Sequence, residues 1–286
     1  MAGRSTHGPY GRKGAAVRLV FLAVALATWV LTLGGRLRAP GTVVLCYHGV
    51  RPGQGARFSR QMRAIRGRAV ALREAGRSDR GRTVAVTFDD AFACLIENAL
   101  PVLRENDVPA TVYAVTGCLG RTPTWAIDPA HPEAALVTMT PDELAGIDAD
   151  PLITLGSHTR THPVLPALDR TERARELEES RCFLESLLGH AVVDLAYPHG
   201  AHDGPTDEDA RAAGYERVVT LDAGIVPCAP GMLIGRFSMD PDAWPIEFRL
   251  TIDGAYTGVI ALRRALRRLL PRRAHAPQPA QKEIAA

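Results

Sequence analysis

From residue 42 onward the sequence alternates short β-branched runs with longer amphipathic stretches, and that alternation leaves few folds open. Strands are expected over 42–47, 83–88, 110–114, 152–155, 192–196, 217–221 and 232–235. Between them the pattern predicts helices over 58–75, 93–105, 141–145, 170–188 and 206–213, with Asp169 capping the fourth. The fifth reads as starting at Thr206, with Asp209 completing a capping box. Strand then helix, repeated about seven times, implies an α/β fold with a parallel sheet, closed into a barrel or doubly wound.

Charge divides the chain differently. Residues 1–40 hold six basic side chains (Arg4, Arg12, Lys13, Arg18, Arg36, Arg38) and no acidic one, whereas residues 41–254 hold 21 basic and 30 acidic. An acidic body argues against a nucleic-acid enzyme, because a phosphate backbone needs positive surface around the site itself. Basic ends suit a membrane surface better. Five widely spaced cysteines without a CxxC pair imply neither a zinc knuckle nor a disulfide framework.

Residues 19–35 (LVFLAVALATWVLTLGG) are uninterruptedly apolar or small and flanked by basic residues on both sides. The stretch reads as a targeting segment outside the fold, an uncleaved signal anchor in preference to a cleaved signal peptide. The expected placement is membrane-anchored or exported, with the body outside the cytoplasm. The alternative is a buried hydrophobic helix in a cytoplasmic protein. The expected organisation is therefore 1–40 as a basic, hydrophobic leader and 41–256 as one catalytic domain. An amphipathic basic helix over 259–270 and a disordered tail would complete residues 257–286.

Four places carry chemistry. The strand over 83–88 runs into Asp89-Asp90, so two carboxylates emerge together at a carboxyl end, where α/β barrels put their active sites. Ser157-His158-Thr159-Arg160-Thr161-His162-Pro163 follows another strand, and one turn of helix would aim His158 and His162 at one point. Each motif is weak alone; together, two imidazoles and a carboxylate make a first shell for a catalytic cation and leave one aspartate as a base. Tyr197-Pro198-His199-Gly200 is a tight turn at a third strand end, able to aim a backbone N–H into the site. Tyr47-His48-Gly49 ends the first strand, with His48 either a site residue or a hydrogen-bonded rim histidine.

Together these segments resemble the polysaccharide deacetylase family, the NodB-homology domain or carbohydrate esterase family 4. The matches are LCYHGV at 45–50, VTFDDAF at 86–92, GSHTRTHPVL at 156–165 and LAYPHG at 195–200. The resemblance implies a distorted (β/α)7 barrel that hydrolyses N-acetyl groups of amino sugars, with an acetylated glycan as substrate. It implies Asp89 as general base and Asp90, His158 and His162 as ligands of one divalent metal, zinc ahead of cobalt, nickel or manganese. The backbone N–H of His199 would bind the oxyanion, and Tyr197 beside it is expected as a second oxyanion or substrate contact. Three departures stand out: Ala91 replaces a glycine, Ala196 replaces an arginine that orients the base, and the C-terminal Leu-x-His acid is missing. His48, or Asp89 after gaining a proton, would then protonate the leaving amine.

Rival readings fare worse. No GxSxG elbow supports a serine hydrolase and no HExxH a zinc protease. Non-haem iron oxygenases share the ligand set but not, in their common form, an α/β pattern. A glycan-binding scaffold without turnover would need no Asp89, and hydrolysis of a formamide or cyclic amide stays within the same fold.

Overall fold

The computed structural model describes residues 15–32, 34, 40–77, 81–227, 231–260 and 262. Most of the expected 259–270 helix, the tail beyond it, Cys228 and the basic residues at 4, 12, 13, 36 and 38 lie outside them.

Six strands stand side by side in chain order: β1 (Gly41–Tyr47), β2 (Arg82–Phe88), β3 (Ala110–Ala114), β4 (Ile153–Ser157), β5 (Asp194–Ala196) and β6 (Arg217–Thr220). All neighbours among them are parallel, so their carboxyl ends lie at one end of the sheet. The two-residue β7 (Ile225–Val226) pairs antiparallel with β1. The chain then makes β8 (Leu233–Gly235), parallel to β6, and β9 (Phe237–Ser238), parallel to β1. Only Arg236 separates β8 from β9. One short run of chain therefore touches both edges of the sheet and nearly closes it, giving the seven-position barrel of the expected NodB type.

All seven residues of β1 are buried, as befits a parallel strand covered on both faces. Side chains alternate accordingly. Val44, Ala85, Tyr113, Ala196, Val219 and Ile234 form a small cluster from one face of the strands. Val43, Leu45, Val84 and Val86 share the larger cluster with Met62, Leu103, Leu144 and Leu184 from the covering helices.

Those helices are α2 (Gly55–Ile65), α3 (Cys94–Asn98), α4 (Leu100–Asn106), α5 (Pro141–Asp148), α6 (Arg170–Leu188), α7 (Gly204–Ala212) and α8 (Pro245–Ile252), after an N-terminal α1 (Ala15–Leu31). α6 has the predicted bounds, and Asp169 forms a full capping box with Glu172. Three expectations need correction. The 58–75 helix stops at Ile65 because Gly67 turns left-handed and residues 68–70 bond to Val84 at the sheet. The 93–105 helix divides at Ala99, since Pro101 has no N–H to continue it. α7 is capped by Asp203, whose carboxylate accepts from the Thr206 N–H, and not by Thr206.

The N-terminal stretch was expected to stand outside the fold; α1 instead packs on the body. Ala25 is fully buried, the Arg18 guanidinium reaches the Glu247 carboxylate of α8, and Trp29 Nε1 donates to Asp253. Among the described residues no helix is long and apolar enough to cross a membrane.

Candidate active site

At the end of β2 the ladder continues one residue further, with Asp89 N–H donating to Tyr47 O at 2.9 Å. Asp90 and Ala91 then take φ of +66° and +46°. A non-glycine left-handed residue costs roughly 1–2 kcal/mol, so this turn must be held from outside. Residues 137–139 hold it: Met139 N–H donates to Ala91 O and Ala93 N–H to Val137 O, both at 2.8 Å. The fully buried Ala91 thus keeps the turn that a glycine would make without strain.

The His158–His162 segment is a loop, not the helical turn expected from its spacing. Thr159 and His162 sit at φ +64° and +63°. Its amides are nonetheless satisfied. His158 N–H donates to Ala114 O, Thr159 N–H to Ser157 Oγ and His162 N–H to Thr159 Oγ1. Buried Glu176, from α6, accepts the amides of Arg160 and Thr161 and the Thr161 hydroxyl. A residue outside every motif therefore fixes the loop that carries both histidines.

The three expected ligands converge. Asp90 Oδ1 lies 3.7 Å from His158 Nε2 and 3.8 Å from His162 Nε2, too far to hydrogen-bond. His158 Nδ1 is engaged by Ala196 O at 2.8 Å, which turns Nε2 inward, as in a metal-ligating histidine held by its other nitrogen. Asp90 Oδ1 and His162 Nδ1 are buried without a hydrogen-bond partner. Burial, with Asp89 and Glu133 adding to it, pushes the Asp90 carboxyl up to about 7 against the pull of His48. Burial likewise pushes His158 down to about 4 and, with His158 and His199 adding to it, His162 down to about 2. Three donors at these separations, with unpaired polar atoms and disfavoured charges, fit one divalent cation.

Asp89 is treated in the opposite way. Burial, the largest single influence, would raise its carboxyl, but the Arg236 guanidinium, His158 and His48 together outweigh it and hold the group well below the usual carboxylate range. Arg236 Nη1 and Nη2 reach Asp89 Oδ1 and Oδ2 at 2.6 and 2.8 Å, with both side chains buried. The arginine absent at position 196 is thus supplied from the seam between β8 and β9. Sequence reasoning missed it, although a lone cation inside the apolar run 232–237 signals a buried charge in need of a partner. The thiol of Cys46, which burial pushes up, also approaches Asp89 Oδ2 at 3.3 Å.

His48 joins this side, its ring grouping with Cys46 Sγ and the Asp89 carboxylate within 4.8 Å. Burial opposes its charge, yet Glu133, Asp90 and Asp89 together raise its pKa. His199 takes φ +59°, with its ring 4.6 Å from that of His162. Trp125, in a segment given no role from sequence, has its ring 4.8 Å from that of His162. Tyr197 is not brought to the site: its side chain is fully buried under α7, and its hydroxyl donates to Asp207. The proline that follows it sets the turn while the phenol packs into the core.

The family model for polysaccharide deacetylase matches residues 76–218, half of the chain, and spans Asp89, Asp90, His158, His162 and His199. The chain belongs to the polysaccharide deacetylase family. Bacillus subtilis (strain 168) YxkH is 24% identical over 151 residues, 53% of this chain and 49% of its own length. The chain thus spans about half the length of the curated relative it matches. Among solved structures, IcaB from Ammonifex degensii superposes with a TM-score of 0.62 at 27% identity, over 74% of this chain and 97% of that one. The Streptococcus pyogenes deacetylase PplD, solved with acetate, gives 0.62 at 20% identity, over 75% and 99%, and so shares the fold.

Proposed function

We propose that this polysaccharide deacetylase family member hydrolyses N-acetyl groups from amino sugars of an acetylated glycan, using one divalent metal ion, zinc first. The observation that carries the reading is the division between two adjacent carboxylates, one left unpaired among imidazoles and one held ionised by a buried arginine.

Asp90, His158 and His162 would hold the ion, each presenting one donor atom. When bound, such an ion supplies Lewis acidity, acidifying water and polarising an acetyl carbonyl. Asp89 takes the proton of the attacking water; Arg236 fixes its orientation and keeps it ionised beforehand. His48, whose neighbours favour its protonated form, donates a proton to the departing amine. The His199 backbone N–H is assigned to the developing oxyanion, and the left-handed turn at 199 supports that assignment. Retention of both the base and its arginine favours turnover over mere glycan binding.

We also propose that the chain works at a membrane, which the basic, acid-free residues 1–40 support. The test is metal content and acetate release measured together on the full chain, with N-acetylglucosamine oligomers and an acetylated envelope polymer. Stoichiometric metal with release lost on chelation and restored by zinc is expected. Stoichiometric metal without release from either substrate would overturn the deacetylase reading.

A further inference from the structure

Helix α1 is built inside out. Its polar side chains, Arg18, Thr28 and Trp29, with Thr32 just past its end, lie on the side that meets the body or bond to its own backbone. Its outer face is aliphatic: Val17, Leu19, Val20, Leu26, Val30 and Leu31 are 39–78% exposed. A water-facing helix has the reverse polarity; lipid-facing helices turn polar groups toward protein.

The attachment to the body is made near both ends of the helix. Arg18 binds Glu247, which is 1% exposed, through two bonds of 2.6 and 2.5 Å. Trp29 donates to Asp253 at 3.0 Å, a carboxylate that also takes Arg249. Gly258 packs so closely on Thr28 that a Cβ there would collide with its hydroxyl. If α1 crossed a bilayer while so docked, Glu247, Arg249 and Asp253 would enter hydrocarbon with it, at prohibitive cost. Docking and spanning therefore exclude one another.

The flank continues past the helix. Exposed Trp244 lies under the Arg18 guanidinium, at 4.1 Å from the ring centroid, and exposed Leu262 stands four residues beyond Gly258. Trp244 also borders a groove of about 330 Å³ between α2 and α8, lined in part by Arg60 and by Arg57 and Arg249, which pair with Asp242 and Asp253. An aliphatic face bordered by an indole and arginines, with basic flanks in sequence, matches acyl chains beneath anionic headgroups.

We infer that α1 lies in the plane of an anionic bilayer surface as a rigid flange of the catalytic domain, its outer face in the acyl boundary and its inner face on α8. This rests on the membrane reading proposed above and replaces a spanning anchor by an in-plane one. The full chain is floated with vesicles of phosphatidylcholine and phosphatidylglycerol, and the Ser5→Cys and Gly35→Cys variants are probed with a membrane-impermeant maleimide, located by peptide mass. Expected are flotation that needs phosphatidylglycerol, labelling of both positions from the same side, and at least tenfold weaker flotation for Leu19→Ser, Val30→Ser and Leu31→Ser combined. Acetate release by that triple variant from a soluble oligomer should be unchanged. Labelling from opposite sides would overturn the in-plane inference and leave the membrane reading standing. Absence of flotation would sink both. A concentration-dependent dimer without vesicles, lost in the triple variant together with flotation indifferent to it, would assign the face to a second copy instead.

Discussion

On the α1–α8 flank, Glu247 closes on Arg18 through two bonds and also accepts the Trp244 N–H, whereas at the strand ends the similarly buried Asp90 faces two imidazoles across 3.7 and 3.8 Å and bonds neither. The first carboxylate is neutralised inside the chain. The second bonds neither imidazole, and its Oδ1 has no hydrogen-bond partner. An unpaired buried polar atom costs about 1–3 kcal/mol, so a fold that keeps Asp90 Oδ1 and His162 Nδ1 so placed is less stable for it. Satisfied and unsatisfied buried charge therefore separate a structural acid from a candidate metal ligand here, where burial alone does not; Asp89, paired with Arg236, belongs to neither group.

The comparison breaks most directly at the adjacent acids. Asp89→Asn should lower kcat for acetate release by roughly 10²–10⁴-fold while bound metal stays stoichiometric, and His158→Ala should lose both. Equal metal loss in the two variants, measured by elemental analysis, would end the division of labour. Next in size is Arg236→Gln. Burial then pushes Asp89 up against only His158 and His48, so the base is protonated as pH falls, and activity should drop about 10–100-fold near pH 6 and recover toward pH 8. A pH–rate profile parallel to that of the parent protein would show that Arg236 does not set the base.

Stability gives a sharper contrast. Arg18→Ala leaves Glu247 buried with one N–H donor and should cost about 3 kcal/mol, read from the urea midpoint at unchanged m. Asp90→Asn, at a site already unpaired, should leave the metal-free protein as stable or more so. Similar losses would erase the distinction between the two regions. The smallest effect is on metal affinity. Asp90 titrates near 7, so below that pH it must give up a proton to bind metal, and affinity measured by competition should fall roughly tenfold per pH unit. Above that pH the dependence on Asp90 disappears.

Much of this was legible in the sequence, and the exceptions are physical. The six parallel strands and β8 fall within two residues of their expected ends, because each is long enough to show its apolar run or is followed by a motif. β7 and β9 have two residues each and no period to detect. Asp89, Asp90, His158 and His162 were found by type and spacing, but spacing suggested a helical turn where left-handed residues and Glu176 make a loop. Tyr197 looked like a substrate contact from its place in the turn, and only packing shows the phenol turned inward. Arg236 is 147 residues from Asp89 in sequence, and only closure of the sheet brings them together.

That closure orders events in time. Until residues 233–238 have joined β6 to β1, Asp89 has no guanidinium beside it, and an incompletely folded or still-growing chain carries its motifs without a prepared base. The two candidate histidine ligands follow β4, and their supports, Glu176 of α6 and the Ala196 carbonyl of β5, also precede residues 233–238 in the chain. The candidate ligand set thus draws on elements that precede β8, whereas the Asp89–Arg236 pair cannot exist without the segment that closes the sheet.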